Sequence, residues 1–363
     1  MHDRLNKKTL APITSVLALV AALIIGAVVI ALNGDNPIQA YGALFKGAFG
    51  SMRNLASTLS SATVLIFTGL GVAVAFRGGM ANIGAEGQLY MGAMAAAVVG
   101  IFVRLPAVLL IPLALAAAFV AGGLYGVIPA WLKVKTNTNE VVTTLMLNYI
   151  AKLFTAYLVN YPLKAKGAPL GMTETIQDAA KLPILYQGTR FNIGFILAVV
   201  AAIVIALMFK YTSFGYELRI QGENKIFGSY IGINVEKRLT QGMLIGGGLA
   251  GLGGAILVLG IQYKFVQDIS PGYGFDGLTI ALMAAFNAYA VIPISVLFGA
   301  LRSGGISMEL STSVPSELSE VIQAVVILFM AAQAAFTGAL HEWISRVTRR
   351  RKQRKQRNGG VQE

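Results

Sequence analysis

Between two long apolar runs lies Arg77-Gly-Gly-Met-Ala-Asn-Ile-Gly-Ala-Glu-Gly-Gln-Leu-Tyr90, which holds four glycines, two amides and a carboxylate. Gly78, Gly79, Gly84 and Gly87 lower helix propensity and expose backbone. Asn82, Glu86 and Gln88 carry groups that hydrocarbon does not tolerate unpaired. Irregular backbone at membrane depth is allowed only where protein covers it or where it lines a wet cavity. Two readings fit: a broken helix beside a solute pathway, or a cytoplasmic turn capped by Arg77.

A second polar run, Asn137 to Tyr149, places Glu140, Thr144 and Asn148 four residues apart, on one helical face. Such a stripe faces a pathway or serves as hydrogen-bonding glue between helices. A third run, Leu239 to Ile261, carries Gly246, Gly247, Gly248, Gly251, Gly253 and Gly254. No lysine follows in the phosphate-loop pattern, so close helix packing is the reading here.

Enzyme chemistry finds little support. The chain has no cysteine, and its two histidines, His2 and His341, lie near its ends. Thiolate metal sites and disulfides are excluded, and a zinc or triad enzyme is disfavoured.

The elements that must position these residues are membrane spans. Of 363 residues, 56% are hydrophobic and 12% charged. A span takes about 20 apolar residues, so the length holds roughly eight to eleven. The expected fold is an all-α polytopic membrane protein of about ten transmembrane helices with broken or re-entrant segments. Residues 1–54 comprise a cytoplasmic start, a retained first span over Ala11 to Leu32 and an external loop. Residues 55–340 form the core, with spans Leu55 to Phe76, the glycine stretch onward to Val103, Pro106 to Trp131, a fifth opening at Asn137, Phe191 to Tyr211 and Leu239 to Ile261. Asn160 to Arg190 reads as an external loop. Phe275 to Arg302 is too long for one span and short for two, with Asn287 and Pro293 near its middle, so a hairpin or two shortened helices is expected. An external segment around Glu309 to Glu317 and a last span, Leu318 to Leu340, follow.

The net charge of +13 lies in the short connections and in residues 341–363, where Arg346 to Arg357 holds eight basic side chains. By the positive-inside rule both termini are cytoplasmic, and the tail reads as an anchor on anionic lipid rather than a nucleic-acid patch. The longest cytoplasmic connection, 212–238, contains a compact glycine-bounded helix, Gly222 to Asn234, suited to contact from the cytoplasm.

The runs Ala81-Asn-Ile-Gly-Ala-Glu-Gly-Gln88, Asn139-Glu-Val-Val-Thr-Thr-Leu-Met-Leu-Asn148 and Gly222-Glu-Asn224 to Gly232-Ile-Asn234 resemble the permease subunits of bacterial ABC importers in the branched-chain amino acid, ribose and nucleoside superfamily. Within it, the chain is most similar to the nucleoside (guanosine-type) permeases. The resemblance implies a type II ABC importer fold in the cell membrane and a second, homologous permease as partner. It also implies an ABC ATP-binding subunit that hydrolyses ATP, so that this chain needs no cofactor, and a substrate-binding lipoprotein. It assigns Gly222, Glu223, Asn224, Tyr230 and Gly232 to coupling with the ATPase. For the solute, Asn82, Gln88, Asn148 and Asn287 offer amide groups suited to a base edge or ribose, and Tyr90, Tyr149 and Phe286 offer rings, with Glu86 beside the pathway. A sugar accepts much the same set, so a permease for a simple sugar or amino acid, and a self-sufficient secondary transporter, stay open.

Overall fold

A computed structural model describes residues 24–32, 34–312, 321, 324 and 325. The expected last span and the basic tail lie outside these residues, as does most of the first span. The chain divides into two units, Leu44–Ser307 and a second made of Met1–Ala43 with Met308–Glu363. In the second, α1 (24–32) is closed by a turn in which the Gly34 N–H donates to the Ala31 carbonyl.

The rest of the helices run as α2 (Pro37–Phe49), α3 (Met52–Arg77), α4 (Ala85–Phe102), α5 (Ala107–Thr136), α6 (Glu140–Asn160), α7 (Gly194–Tyr211), α8 (Ser213–Glu223), α9 (Lys225–Tyr230), α10 (Val235–Ile256), α11 (Tyr273–Met283) and α12 (Ala288–Ser311). A π-helical turn, Leu257–Gln262, prolongs α10. Among the described residues, seven helices are long and apolar enough to cross a membrane: α3, α4, α5, α6, α7, α10 with its extension, and α12.

Helix α10 sits at the centre, with α3, α4 and α5 around it. The glycines make this possible. A Cβ on Gly247 would lie 2.4 Å from the Gly122 carbonyl oxygen of α5, and one on Gly254 would lie 2.1 Å from the Leu89 carbonyl oxygen of α4. Backbones therefore meet directly, which supplies dispersion contact where lipid removes the hydrophobic drive.

Capping residues set the connections. Ser51 caps α3, Asn139 caps α6, and Thr212, Asn224 and Asn234 cap α8, α9 and α10 in succession, each through a side-chain oxygen accepting backbone N–H groups. The loop after α6 contains one 3-10 turn, Asp178–Ala180, and pairs with the chain after α10 through Met172 and Val266. From this loop Gln177 donates its amide to the carbonyls of Gly100, Ile101 and Val103, closing the otherwise unsatisfied end of α4.

Two departures from the sequence expectation concern the run after Phe275. It divides into one short helix and one of full length, and the division falls at Ala285 and Phe286, whose φ values are 47° and 58°. Pro293, the sixth residue of α12, lies inside the helix and removes its N–H from the ladder, while Asn287 caps the new helix through the Tyr289 N–H. Glu309, expected outside the helices, belongs to the last turns of α12.

Candidate functional site

The glycine stretch leaves α3 at Arg77 and returns to α4 at Ala85 as seven residues without regular structure. Its backbone must find partners elsewhere, and the polar stripe of α6 provides them. Asn148 accepts the Gly87 N–H at 2.8 Å and donates to the Ile83 carbonyl at 2.9 Å. The Thr144 hydroxyl accepts the Ile83 N–H at 3.3 Å. Glu140 pairs with Lys133 at 3.0 Å, fixing the start of α6 against the end of α5.

Asn82 and Gln88 face each other across the helix start. Asn82 donates to Gln88 Oε1 at 3.0 Å, Gln88 donates to Asn82 Oδ1 at 3.2 Å, and that same oxygen accepts the Gly84 N–H at 2.9 Å. Both side chains are fully buried. The amide network is thus internally satisfied, as burial demands.

Glu86 points the other way. Its carboxylate accepts the Gly274 N–H at 2.6 Å and a hydrogen bond from Ser270. Gly274 lies in the first turn of α11, so the carboxylate meets the positive end of a helix dipole. Arg77, the partner suggested by proximity in sequence, instead lies over the Phe209 ring at 5.1 Å. Tyr90 is buried, set edge-on to Phe265, with its hydroxyl 3.4 Å from the Ser270 carbonyl.

The structure therefore gathers Asn82, Gln88 and Asn148 on one side of the α4 start, and Glu86 and Tyr90 against residues 265–274 on the other. It does not bring the remaining solute candidates there. Tyr149 is 65% exposed on the outer side of α6. Phe286 stacks on Phe76 with centroids 5.0 Å apart, and Asn287 is exposed, both beyond the far end of α11.

Residues 263–272 and α11 form a second interrupted element, half irregular and half helical. Arg302 of α12 holds it, bonding Asp276 at 3.0 Å and the Pro271 carbonyl at 2.6 Å, with its guanidinium 4.3 Å from the Tyr273 ring centroid. Lys152 of α6 reaches Asp268 of the same element at 2.9 Å. None of Lys152, Asp268, Ser270, Asp276 and Arg302 stood out in the sequence, because each charge stands alone in its run and its partner lies on another element.

At the Arg77 end, Gln221 of α8 donates to the Gly78 carbonyl at 2.8 Å. A Cβ on Gly222 would meet the Arg77 carbonyl oxygen at 2.0 Å. The segment carrying Gly222, Glu223, Asn224, Tyr230 and Gly232 is thus in direct contact with the root of the glycine stretch. Arg238 ties α10 to α8 through Glu217 at 2.6 Å. Beyond this anchor Ile226, Phe227 and Tyr230 are exposed, Tyr230 to 85%. A depression of about 580 Å3, lined in part by Lys210, Tyr216, Glu217 and Gly232, lies alongside. Among the described residues no group of three or more His, Cys, Asp or Glu side chains can hold a metal ion.

The chain is similar to several transport proteins along nearly its whole length. It is 38% identical over 325 residues to the guanosine ABC transporter permease protein NupP of Bacillus subtilis, covering 88% of this chain and 92% of that one. With the nucleoside ABC transporter permease protein NupB of Lactococcus lactis it shares 32% identity, covering 91% and 93%. With the glucose ABC transporter permease protein TsgB13 of Haloferax volcanii it shares 36%, covering 89% and 88%. The family model described as branched-chain amino acid transport system / permease component matches residues 54–331, and the chain, a multi-pass membrane protein, belongs to that permease family.

Proposed function

We propose that the chain is a transmembrane subunit of an ATP-driven importer that carries nucleosides across the bacterial cell membrane. Two relatives whose printed names specify guanosine or nucleoside support that solute class. A second reading, a simple sugar, has the glucose permease relative in its favour. The Arg77 end is the cytoplasmic one, since Lys133, Lys135, Lys210, Arg219, Lys225, Lys237 and Arg238 all follow or precede spans there.

One observation carries the mechanism: the hydrogen bond from Gln221 to Gly78, together with the backbone contact at Gly222. An ATP-binding subunit docks on the exposed apolar side chains of α9. Movement of α9 passes through α8 to Gly78 and Gly79, where the helical ladder of α3 ends with the Gly78 N–H on the Val74 carbonyl, and so to the start of α4. There the Glu86 to Gly274 bond hands the displacement to α11. The amide network of Asn82, Gln88 and Asn148 keeps the α4 start and α6 moving as one piece. A second permease of the same family completes the pathway, a reading supported by the two guanosine ABC transporter permease proteins of Bacillus subtilis, NupP and NupQ, both similar to this chain. A binding lipoprotein delivers solute from the opposite face.

Reconstitution with the ATP-binding subunit, second permease and lipoprotein tests this, with uptake measured across nucleosides, pentoses, hexoses and amino acids. ATP-dependent accumulation of nucleosides alone supports the reading. Accumulation of hexoses alone transfers it to the sugar class.

A further inference from the structure

The outward faces of the helices differ in kind. On α5 the exposed residues in mid-helix include Val120, Leu124 and Ile128, and on α7 Val200, Ile203, Val204 and Leu207. These are faces for lipid. The face formed by α6, residues 263–272, α11 and α12 also exposes apolar side chains, Met146 and Leu153 among them, but carries two ion pairs as well. In Lys152–Asp268 the side chains are 52% and 53% exposed, and in Arg302–Asp276 they are 17% and 24% exposed.

Both pairs lie near mid-span. Lys152 is twelve residues along α6 from Glu140, about 18 Å of helix. Gly277, next to Asp276, packs on Thr68, nine residues from Arg77 along α3 and so about 14 Å from that end. Gly299, one turn before Arg302, packs between Thr58 and Ala62, about 22–28 Å from it, and Arg302 reaches back from there to Asp276. The hydrocarbon core is about 30 Å thick, so Lys152 and Asp276 lie well inside it, and the Arg302 guanidinium is held at the depth of Asp276. Partly exposed charges at this depth require water or protein, not lipid.

Resting on the permease reading above, we infer that this face is the wall of the aqueous pathway, and that Lys152–Asp268 and Arg302–Asp276 are the polar groups the solute meets at mid-membrane. The wall holds two cations and two anions, each beside its opposite. Its charges are balanced pair by pair, so its polar edges suit a neutral solute rich in hydroxyl and amide groups, and it has no net charge with which to gather ions. Phe275 and Leu282, 42% and 53% exposed on α11 with Thr279 between them, add an apolar strip on which a planar base can rest. The buried amides Asn82, Gln88 and Asn148 stand behind this wall and do not touch the solute.

The absence of cysteine makes the test direct. Thr279→Cys, Leu282→Cys and Tyr149→Cys are introduced singly, with Leu124→Cys and Val200→Cys for comparison. Each variant is assembled with its partner subunits in vesicles and treated with a membrane-impermeant, positively charged methanethiosulfonate, and labelling is read on this chain alone. Labelling at 279 or 282 at least tenfold faster than at 124 and 200, and slowed severalfold by the transported nucleoside, is the expected result. Reaction at 149, 279 and 282 as slow as at 124 and 200, in a complex that still accumulates nucleoside, overturns the inference and leaves the permease reading standing. Fast labelling that nucleoside does not slow also overturns it, since the face is then wet without being the solute's wall. Failure of the cysteine-free complex to transport any solute with ATP instead removes the permease reading on which the inference rests.

Discussion

The Glu86 carboxylate and the Gly274 N–H, 188 residues apart in sequence, meet at 2.6 Å where the first interrupted element touches the second. The bond joins the beginning of α4 to the beginning of α11, and each of these helices starts inside the protein rather than at its surface.

Glu86→Gln keeps an acceptor for the Gly274 N–H and should retain most of the uptake. Glu86→Leu strands that N–H and the Ser270 hydroxyl in a buried site, at about 1–3 kcal/mol for each unsatisfied group, and should lose both uptake and thermal stability. Uptake per inserted complex and melting of the purified assembly separate the two variants. Equal loss in both, with transport dependent on sodium, would favour a secondary transporter.

Gly222→Ala forces a methyl group into the Arg77 carbonyl, whose oxygen lies 2.0 Å from the added Cβ. Gly232 has open space around it but a φ of +86°, so Gly232→Val strains the turn by about 1–2 kcal/mol without a clash. Transport-coupled ATPase activity should therefore fall severalfold in Gly222→Ala and less in Gly232→Val. The reverse order would remove Gly222 from the coupling route.

Asn148→Leu leaves the Gly87 N–H and the Ile83 carbonyl without partners in a buried site, again about 1–3 kcal/mol each. Stability in detergent should drop, while the relative uptake of different nucleosides stays unchanged because Asn148 lies behind the wall. A shift in solute preference at unchanged stability would place the amide in the pathway.

Removing the tail after Val347 should leave uptake per inserted molecule normal, at reduced abundance. Basic residues beside an anionic leaflet contribute about 1 kcal/mol each to anchoring. Loss of ATPase association at unchanged abundance would make the tail part of the docking surface.

What the sequence made legible follows its physics. The glycine stretch announced itself because glycine and amides are costly in a span, and the four-residue spacing of Glu140, Thr144 and Asn148 gave the face that meets it, with Glu140 closing the α5–α6 turn. The glycines of α10 announced close packing for the same reason. The second interrupted element was only half visible. The division at its far end, between α11 and α12, falls at Ala285 and Phe286, two residues with no turn signature, held at positive φ by tertiary packing against α3. Nor does spacing show that Arg302 returns to Asp276, since an ion pair across two helices leaves no periodicity.

The most direct measurement follows the Gln221 to Gly78 contact in the assembled, reconstituted importer. Nucleoside accumulation should require ATP and the ATP-binding subunit, and Gln221→Leu, which removes the donor at 2.8 Å, should cut accumulation about tenfold while the ATPase remains bound and hydrolyses ATP without solute stimulation. Accumulation by this chain without any ATP-binding subunit, or full coupling in Gln221→Leu, would contradict the account.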